Sequence, residues 1–349
     1  MTVSYLREGL TLGPDQSNDS NLVQALQRDL RALGYLHSGM DGAYGGGTVL
    51  AVKALQVDLL RNDGTSHQND GSAPVAIKDF NCDAAGAPLL SSVTGVVDQA
   101  TASCIDRLLR DERVVKVPNA DDPAQENRKA IAAISSFASS VAPAPFVTAI
   151  VMQESGGQHF RVPGRERDNF VVLGLDRGDA AAPERITSRG YGIGQFTLFH
   201  HPPRAEEIAA LVLDPVRNVQ QTFALLRKKF DRFVVGPDYR ADDRKAEHAL
   251  LPLRLCRYAA SDPRYLRDCR NCAASVRKLT IAAGTPAYAG ATVSYQPDQY
   301  YPSANYYGVP DRAEFLCDWP YAVRRYNGSG NDSFHYQTQI LLNLLNLPA

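Results

Sequence analysis

The stretch that most restricts the fold is Ala149-Ile150-Val151-Met152-Gln153-Glu154-Ser155-Gly156-Gly157. Pro143 and Pro145 stand ahead of it, and proline suits the first turn of a helix. From Phe146 the apolar residues Val147, Ile150 and Val151 recur at helical spacing and predict a helix with one buried face. The Gly-Gly pair stops that helix and leaves Glu154 in its last turn. A chain with this segment must build a core around it and bring a carboxylate to the edge of that core. A carboxyl group set in an apolar wall holds its proton more tightly than in water, as a general acid near neutral pH requires. An ordinary solvated glutamate at a helix end would have the same local sequence, so Glu154 alone decides nothing.

Two later stretches supply partners: Gly190-Tyr191-Gly192-Ile193-Gly194-Gln195-Phe196 and Ala322-Val323-Arg324-Arg325-Tyr326-Asn327-Gly328. The glycine run by itself reads as a tight turn, and without a following Lys it is a poor phosphate loop. Taken in order, the three stretches resemble the signature motifs of the lytic transglycosylase and goose-type lysozyme superfamily: a Glu-Ser pair after an apolar helix, a Gly-x-x-Gln turn, and an Ala-x-x-Tyr-Asn-x-Gly segment. The resemblance spans roughly the last two-thirds of the chain but is dense only at these motifs. It implies that Glu154 is the catalytic acid and base, and that Gln195 lines a sugar groove with Tyr191 and Ile193 of the same turn. It further implies that Tyr326 orients the Glu154 carboxyl, while Ser155 and Asn327 touch substrate. Goose-type lysozymes place second acids between the Glu and the Gly-x-x-Gln turn, which makes Asp168, Asp176 and Asp179 candidates to activate water. The mixed charges around them (Arg161, Arg165, Glu166, Arg167, Arg177) equally describe a solvated lid.

The first third of the chain has a different pattern. Asn21 and Gln24 have capping-box spacing ahead of a helix that carries Leu22, Leu26, Leu30 and Leu33 and stops at Gly34. The loop Gly39 to Thr48 follows, with Thr48 able to cap a helix through Val52, Leu55 and Leu59. Thr94 to Thr101 echoes that loop: Gly95 matches Gly42, Thr101 matches Thr48, and Ile105, Leu108 and Leu109 follow on a third helix. Leu26-Gln27, Leu33-Gly34-Tyr35, Asp41-Gly42, Thr48 and Leu55-Gln56 resemble the small three-helix peptidoglycan-binding domain found beside many cell-wall hydrolases. The resemblance implies binding of wall polymer, with Asp41, Gly42, Tyr44 and Thr48 as the candidate binding residues. A small helical domain with some other partner is the alternative, since a fold does not fix a function.

The expected architecture is therefore mainly α. Residues 1–112 form the three-helix peptidoglycan-binding domain, with 61–93 as an inserted surface loop. Residues 113–124, which contain Pro118, Asp121, Asp122 and Pro123, form a linker. Residues 125–349 form a larger α-helical, lysozyme-like domain. A chain of 349 residues is long enough for two cores. The formal net charge of −1 gives no field that would draw it to nucleic acid or an anionic membrane. No apolar run reaches the length of a spanning helix, so no membrane insertion is expected. The first eight residues lack the pattern of a secretory leader. The expected route is synthesis in the cytoplasm and action on the cell wall, after release through a phage-made membrane hole or delivery by a secretion apparatus.

The cysteines and histidines open other chemistry. Cys269-x-x-Cys272 could seed a zinc site with Cys256 and Cys317, but the spacing is not that of a tight knuckle and inert buried thiols are commoner. Cys82 and Cys104 flank the inserted loop and could staple it, although disulfides are rare in chains made without a leader. His200 and His201 are adjacent and face different sides, which suits a turn better than a metal pair. Tyr300, Tyr301, Tyr306 and Tyr307 could stack on sugars or simply pack. The expectation is a monomeric glycosidase acting on peptidoglycan glycan strands, with no metal and no organic cofactor. It would cleave the β-1,4 bond between N-acetylmuramic acid and N-acetylglucosamine by the lytic transglycosylase route. Hydrolysis with an Asp-positioned water is the alternative within enzymes, and a non-catalytic wall-binding protein is the alternative outside them.

Overall fold

A computed structural model describes residues 2–66, 68, 71–137, 141–164, 168–178, 180–235, 253–274, 315–328 and 331–347. Asp179, the Tyr300 to Tyr307 group and most of the 242–317 segment lie outside the described residues. The fold is mainly helical, as its periodicity predicted. Two compact units divide the chain: Met1–Arg128 with Gln158–Asn218, and Lys129–Gly157 with Val219–Ala349. No helix among the described residues is long and apolar enough to cross a membrane.

In the first unit, helix α1 (Ser20–Ala32) starts at Asp19, whose carboxylate accepts the Asn21 and Leu22 N–H groups. The cap thus lies two residues before Asn21, the residue the capping-box spacing had marked. Val23, Leu26 and Leu30 fall on one face and are fully buried. Helix α2 (Gly46–Arg61) buries Val52, Leu55 and Leu59, and α3 (Gln99–Arg110) buries Ile105 and Leu108 behind an Asp98 cap. Thr48 and Thr101 lie inside the first turns and cap neither helix.

The internal repeat has a physical cause that the sequence only hinted at. Gln27 accepts the Gly42 N–H at 2.8 Å and donates to the Ala43 carbonyl and the Thr48 hydroxyl, each at 3.0 Å. One helix later, Gln56 accepts the Gly95 N–H at 2.8 Å and donates to the Val96 carbonyl at 3.0 Å and the Thr101 hydroxyl at 3.3 Å. Each helix therefore carries a buried amide that ties down the next glycine loop. Both loop glycines have positive φ, +77° at Gly42 and +75° at Gly95, where a side chain would be strained.

The 113–124 stretch is packed and does not behave as a loose linker. Val114, Val117 and Ala120 are buried in the same core as α1 to α3, and the Val117 N–H donates to the Ala32 carbonyl at 2.7 Å. The 61–93 insertion is likewise anchored, with Ile77, Phe80 and Leu90 buried. The segment Gln158–Asn218 joins this core through Phe160, Phe170, Val171, Leu173, Tyr191 and Leu198. It contributes a small antiparallel sheet in the order β1-β2-β3: β1 (Leu173–Asp176), β2 (Ser188–Tyr191) and β3 (Phe196–Leu198). Leu173 pairs with Tyr191, and Tyr191 with Phe196. Strands this short leave almost no alternation to read in a sequence. The division into units consequently differs from 1–112, 113–124 and 125–349, because apolar burial continues through the Pro- and Asp-rich stretch.

The second unit is built round α5 (Ala144–Ser155), preceded by α4 (Pro123–Ser136), which begins in the first unit. Phe146, Val147, Ala149, Ile150 and Val151 are at most 2% exposed. Helix α10 (Asn331–Leu345) packs on α5 and buries Ile340, Leu341 and Leu344. Around them lie α7 (Pro215–Phe230), α8 (Cys269–Ala274) and α9 (Trp319–Arg324); the first unit's short α6 is Ala205–Glu207. Trp319 is fully buried, stacks obliquely on Phe230 at 4.3 Å and donates its indole N–H to the Leu255 carbonyl.

All six cysteines are free thiols, so Cys82 and Cys104 are not joined. Among the described residues no three His, Cys, Asp or Glu side chains are gathered as metal ligands. His200 pairs with Glu207 at 2.8 Å, a structural use.

Candidate active site

Helix α5 ends where the sequence predicted. Gly156 takes the left-handed conformation (φ +64°), and its N–H closes back on Val151 and Met152. Ser155 turns its hydroxyl onto the Val151 carbonyl at 3.0 Å and so caps its own helix. Glu154 is thereby fixed in the last turn, at the negative end of the helix dipole, where an anion gains nothing. Tyr336 of α10 donates its hydroxyl to Glu154 Oε1 at 2.5 Å. Burial raises the Glu154 carboxyl to about 7, and the Tyr336 hydrogen bond works against that rise. Near neutral pH the group is therefore balanced between carboxylic acid and carboxylate.

The resemblance gave the orienting role to Tyr326, whereas the hydrogen bond to Glu154 comes from Tyr336. Tyr326 lies on the turn Arg325–Asn327, with its ring parallel to that of Tyr336 at 6.3 Å between centroids. Burial and the nearby Glu154 charge push the Tyr326 phenol well above its ordinary range, and Thr222 hydrogen-bonds to it in opposition. The carboxyl, the clamping phenol and the supporting phenol thus form one array within the second unit, with Tyr336 buried and Glu154 and Tyr326 partly buried. Asn327 is exposed beside them in sequence, just before Gly328 at φ +100°. Tyr336 could have been suspected from sequence, because a tyrosine on the apolar face of a helix needs a partner for its hydroxyl.

The remaining sequence-nominated residues belong to the first unit. Gln195 has φ +50° and folds its amide back onto the Gly192 carbonyl at 2.8 Å. Tyr191 and Ile193 are fully buried, so they shape the turn and offer no surface to a sugar. The turn is pinned from behind by two residues that sequence reading passed over. The Gly194 N–H reaches Asn218 Oδ1 at 2.9 Å, and the Ile193 N–H reaches His159 Nδ1 at 3.2 Å. His159 is fully buried and lowered to about 4 by desolvation, so it stays neutral and Nδ1 remains an acceptor.

Asp168 is buried and ion-paired to Arg31 at 2.8 Å, with Arg161 at 3.4 Å. Those contacts, and the Phe170 N–H on its other oxygen, give Asp168 a structural job and leave it poorly suited to water activation. Asp176 is exposed at the end of β1. Of the nominated wall-binding residues, Gly42, Tyr44 and Thr48 are buried, and the Tyr44 hydroxyl is committed to the Gly95 carbonyl. Asp41 alone is exposed, and its carboxylate is held by Gln27 and the Ala43 N–H.

Neither the curated proteins nor the solved structures contain a match to the chain. Residues 19–59 match the family described as "Putative peptidoglycan binding domain". That span covers α1, the Gln27-pinned loop and most of α2, so this chain carries a peptidoglycan-binding domain at its N-terminal end.

Proposed function

We propose that the chain cleaves peptidoglycan glycan strands at the β-1,4 bond between N-acetylmuramic acid and N-acetylglucosamine, with Glu154 as general acid and then base. One observation carries the reading: a carboxyl raised to about 7 by burial and held at 2.5 Å by a tyrosine hydroxyl, in a chain that also carries a peptidoglycan-binding domain. Protonated Glu154 would deliver its proton to the glycosidic oxygen as positive charge develops on the sugar ring. The resulting carboxylate would then take the proton of the muramoyl 6-hydroxyl, closing an anhydro ring without water. The ion pair of Asp168 with Arg31 removes one of the three acids nominated to activate water for the hydrolytic alternative.

Glu154→Gln keeps the shape and the acceptor for Tyr336 and removes only the transferable proton. The rate of peptidoglycan clearance should fall by at least ~100-fold. Mass spectrometry of the digest then reads the chemistry: anhydro-muramoyl ends support the proposal, and reducing ends indicate hydrolysis. A folded wild-type chain that binds sacculi and releases no fragment would be a binding protein only. The site of action under this reading is the bacterial cell wall.

A further inference from the structure

The residues nominated for wall binding are mostly spent inside the fold, so the first unit needs another place to hold its ligand. It has a cavity of about 250 Å³ that the candidate active site does not use. One wall is the end of α2, with Asp58 and Arg61, followed by Asp63; the other includes Arg185, Arg189 and His201. Asp58 lies inside the stretch that matches the peptidoglycan-binding family, whereas residues 185–201 come from the later segment.

The charges in this cavity are unevenly satisfied. Asp58 accepts from Tyr35 at 2.8 Å and faces Arg189 at 3.4 Å, and Asp63 is held by the Thr65 N–H and hydroxyl. These contacts engage one oxygen of each carboxylate, Asp58 Oδ2 and Asp63 Oδ1. Arg189 is nearly fully buried and donates through Nε to the Gly34 carbonyl and through Nη2 to Asp58, which leaves Nη1 without an acceptor among the described residues. Arg61 and Arg185 are exposed, and among the described residues their side chains make no hydrogen bond or ion pair. His201 is 5% exposed, and its buried Nδ1 meets no donor. The cavity thus presents three guanidinium groups with unused donors and one unused imidazole nitrogen. That set matches a carboxylate flanked by an amide N–H, and guanidinium recognises carboxylate in a two-pronged manner. The volume falls below the ~300–1,000 Å³ usual for drug-sized ligands, which fits a chain end.

We propose that this cavity binds the free carboxylate end of a peptidoglycan stem peptide, gripped by Arg61 and Arg185 at the rim and by Arg189 below. The inference rests on the wall-binding assignment of the first unit and is independent of catalysis at Glu154.

The test uses the full chain carrying Glu154→Gln, so that no ligand is consumed. Calorimetric titration compares three probes: a disaccharide tetrapeptide with a free terminal carboxylate, the same fragment with that carboxylate amidated, and the disaccharide alone. The free-carboxylate fragment should bind at least tenfold more tightly than the other two. Arg61→Ala with Arg185→Ala should abolish that preference, and Arg61→Lys with Arg185→Lys should retain part of it. Equal binding of the free and amidated fragments overturns the proposal without relying on any substitution at the cavity. So does a free-carboxylate affinity weaker than about 1 mM. Pelleting with intact sacculi separates the two levels of the argument. A parent chain that fails to pellet overturns the wall-binding reading and this proposal together. A parent and an arginine variant that pellet equally overturn only the cavity.

Discussion

Glu154 should make the second unit less stable as pH rises, and replacing it with glutamine should remove that loss. The carboxyl moves from an ordinary value of 4.5 to about 7 on folding. Below pH 4.5 the group is protonated in both states and contributes nothing to the pH dependence. Between 4.5 and about 7 the unfolded chain has released the proton while the folded chain retains it, so stability falls with each pH step. Above about 7 both states are ionised and the full penalty is present. A shift of this size corresponds to about 3 kcal/mol at 1.36 kcal/mol per pH unit. The core of α5 can carry that load, since burying Phe146, Val147, Ile150 and Val151 contributes about 6–12 kcal/mol by area, an upper estimate. In Glu154→Gln the amide keeps the Tyr336 hydrogen bond and has no proton to lose. The variant should match the wild type at pH 4.5 and exceed it by about 3 kcal/mol at pH 8. Trp319 is the protein's only tryptophan, is fully buried and lies in the same unit, so its fluorescence reports the relevant transition in urea. Titrations shared by both proteins cancel in the difference. A stability difference that does not change between pH 4.5 and 8 would refute the buried-carboxyl reasoning, whatever the enzymology shows.

Other perturbations follow from the same contacts. Tyr336→Phe removes the donor that favours the charged carboxylate, so the alkaline limb of the clearance profile should move to higher pH; a move to lower pH would contradict the assignment. Tyr326→Phe should move that limb less, because the Glu154 hydrogen bond comes from Tyr336. Asp168→Asn leaves Arg31 buried without its counter-charge and should cost about 3–5 kcal/mol in the unfolding of the first unit. If residual activity survives, its products should be unchanged, whereas a switch in product ends would return Asp168 to the chemistry. Gly192→Ala should cost about 1–3 kcal/mol, since the residue sits at φ +75° and its new Cβ would lie 2.5 Å from the His159 ring; hydrogen exchange of the Ile193 and Gly194 amides reads the loss directly.

What the sequence disclosed depended on range. Helices α1, α2, α3 and α5 were legible because their apolar residues recur every three or four positions, and the end of α5 was legible because two glycines stop it. Glu154 was placed correctly at the edge of a core for the same local reason. Tyr336 was not recognised as its partner, because it lies 182 positions away and no local pattern says which group its hydroxyl meets. The Gln27 and Gln56 pins were visible only as matched residues, since a buried amide and an exposed one have the same letter. The Pro- and Asp-rich stretch from 113 to 124 has the composition of a linker, yet Val114, Val117 and Ala120 bury themselves in a core whose other half arrives more than thirty residues later. Tyr191 and Ile193 stand in a motif associated with a groove, but their side chains turn inward.

The discontinuous make-up of the first unit limits how this protein could be recombined. A break near residue 113 or 122 would separate two strips of a single core. One product would retain α1 to α3 without Phe160, Phe170, Val171 and Leu198, and the other would retain those residues with nothing to cover them. Asp168 would lose Arg31, and Arg189 would lose both the Gly34 carbonyl and Asp58. The wall-binding part is therefore no detachable cassette. Grafting it onto another protein, or exchanging it for a foreign binding module, requires residues 158–218 to travel with it, and with them the Gly190–Phe196 turn. Shuffling by simple end-to-end fusion is closed to this architecture, and its two parts are bound to change together.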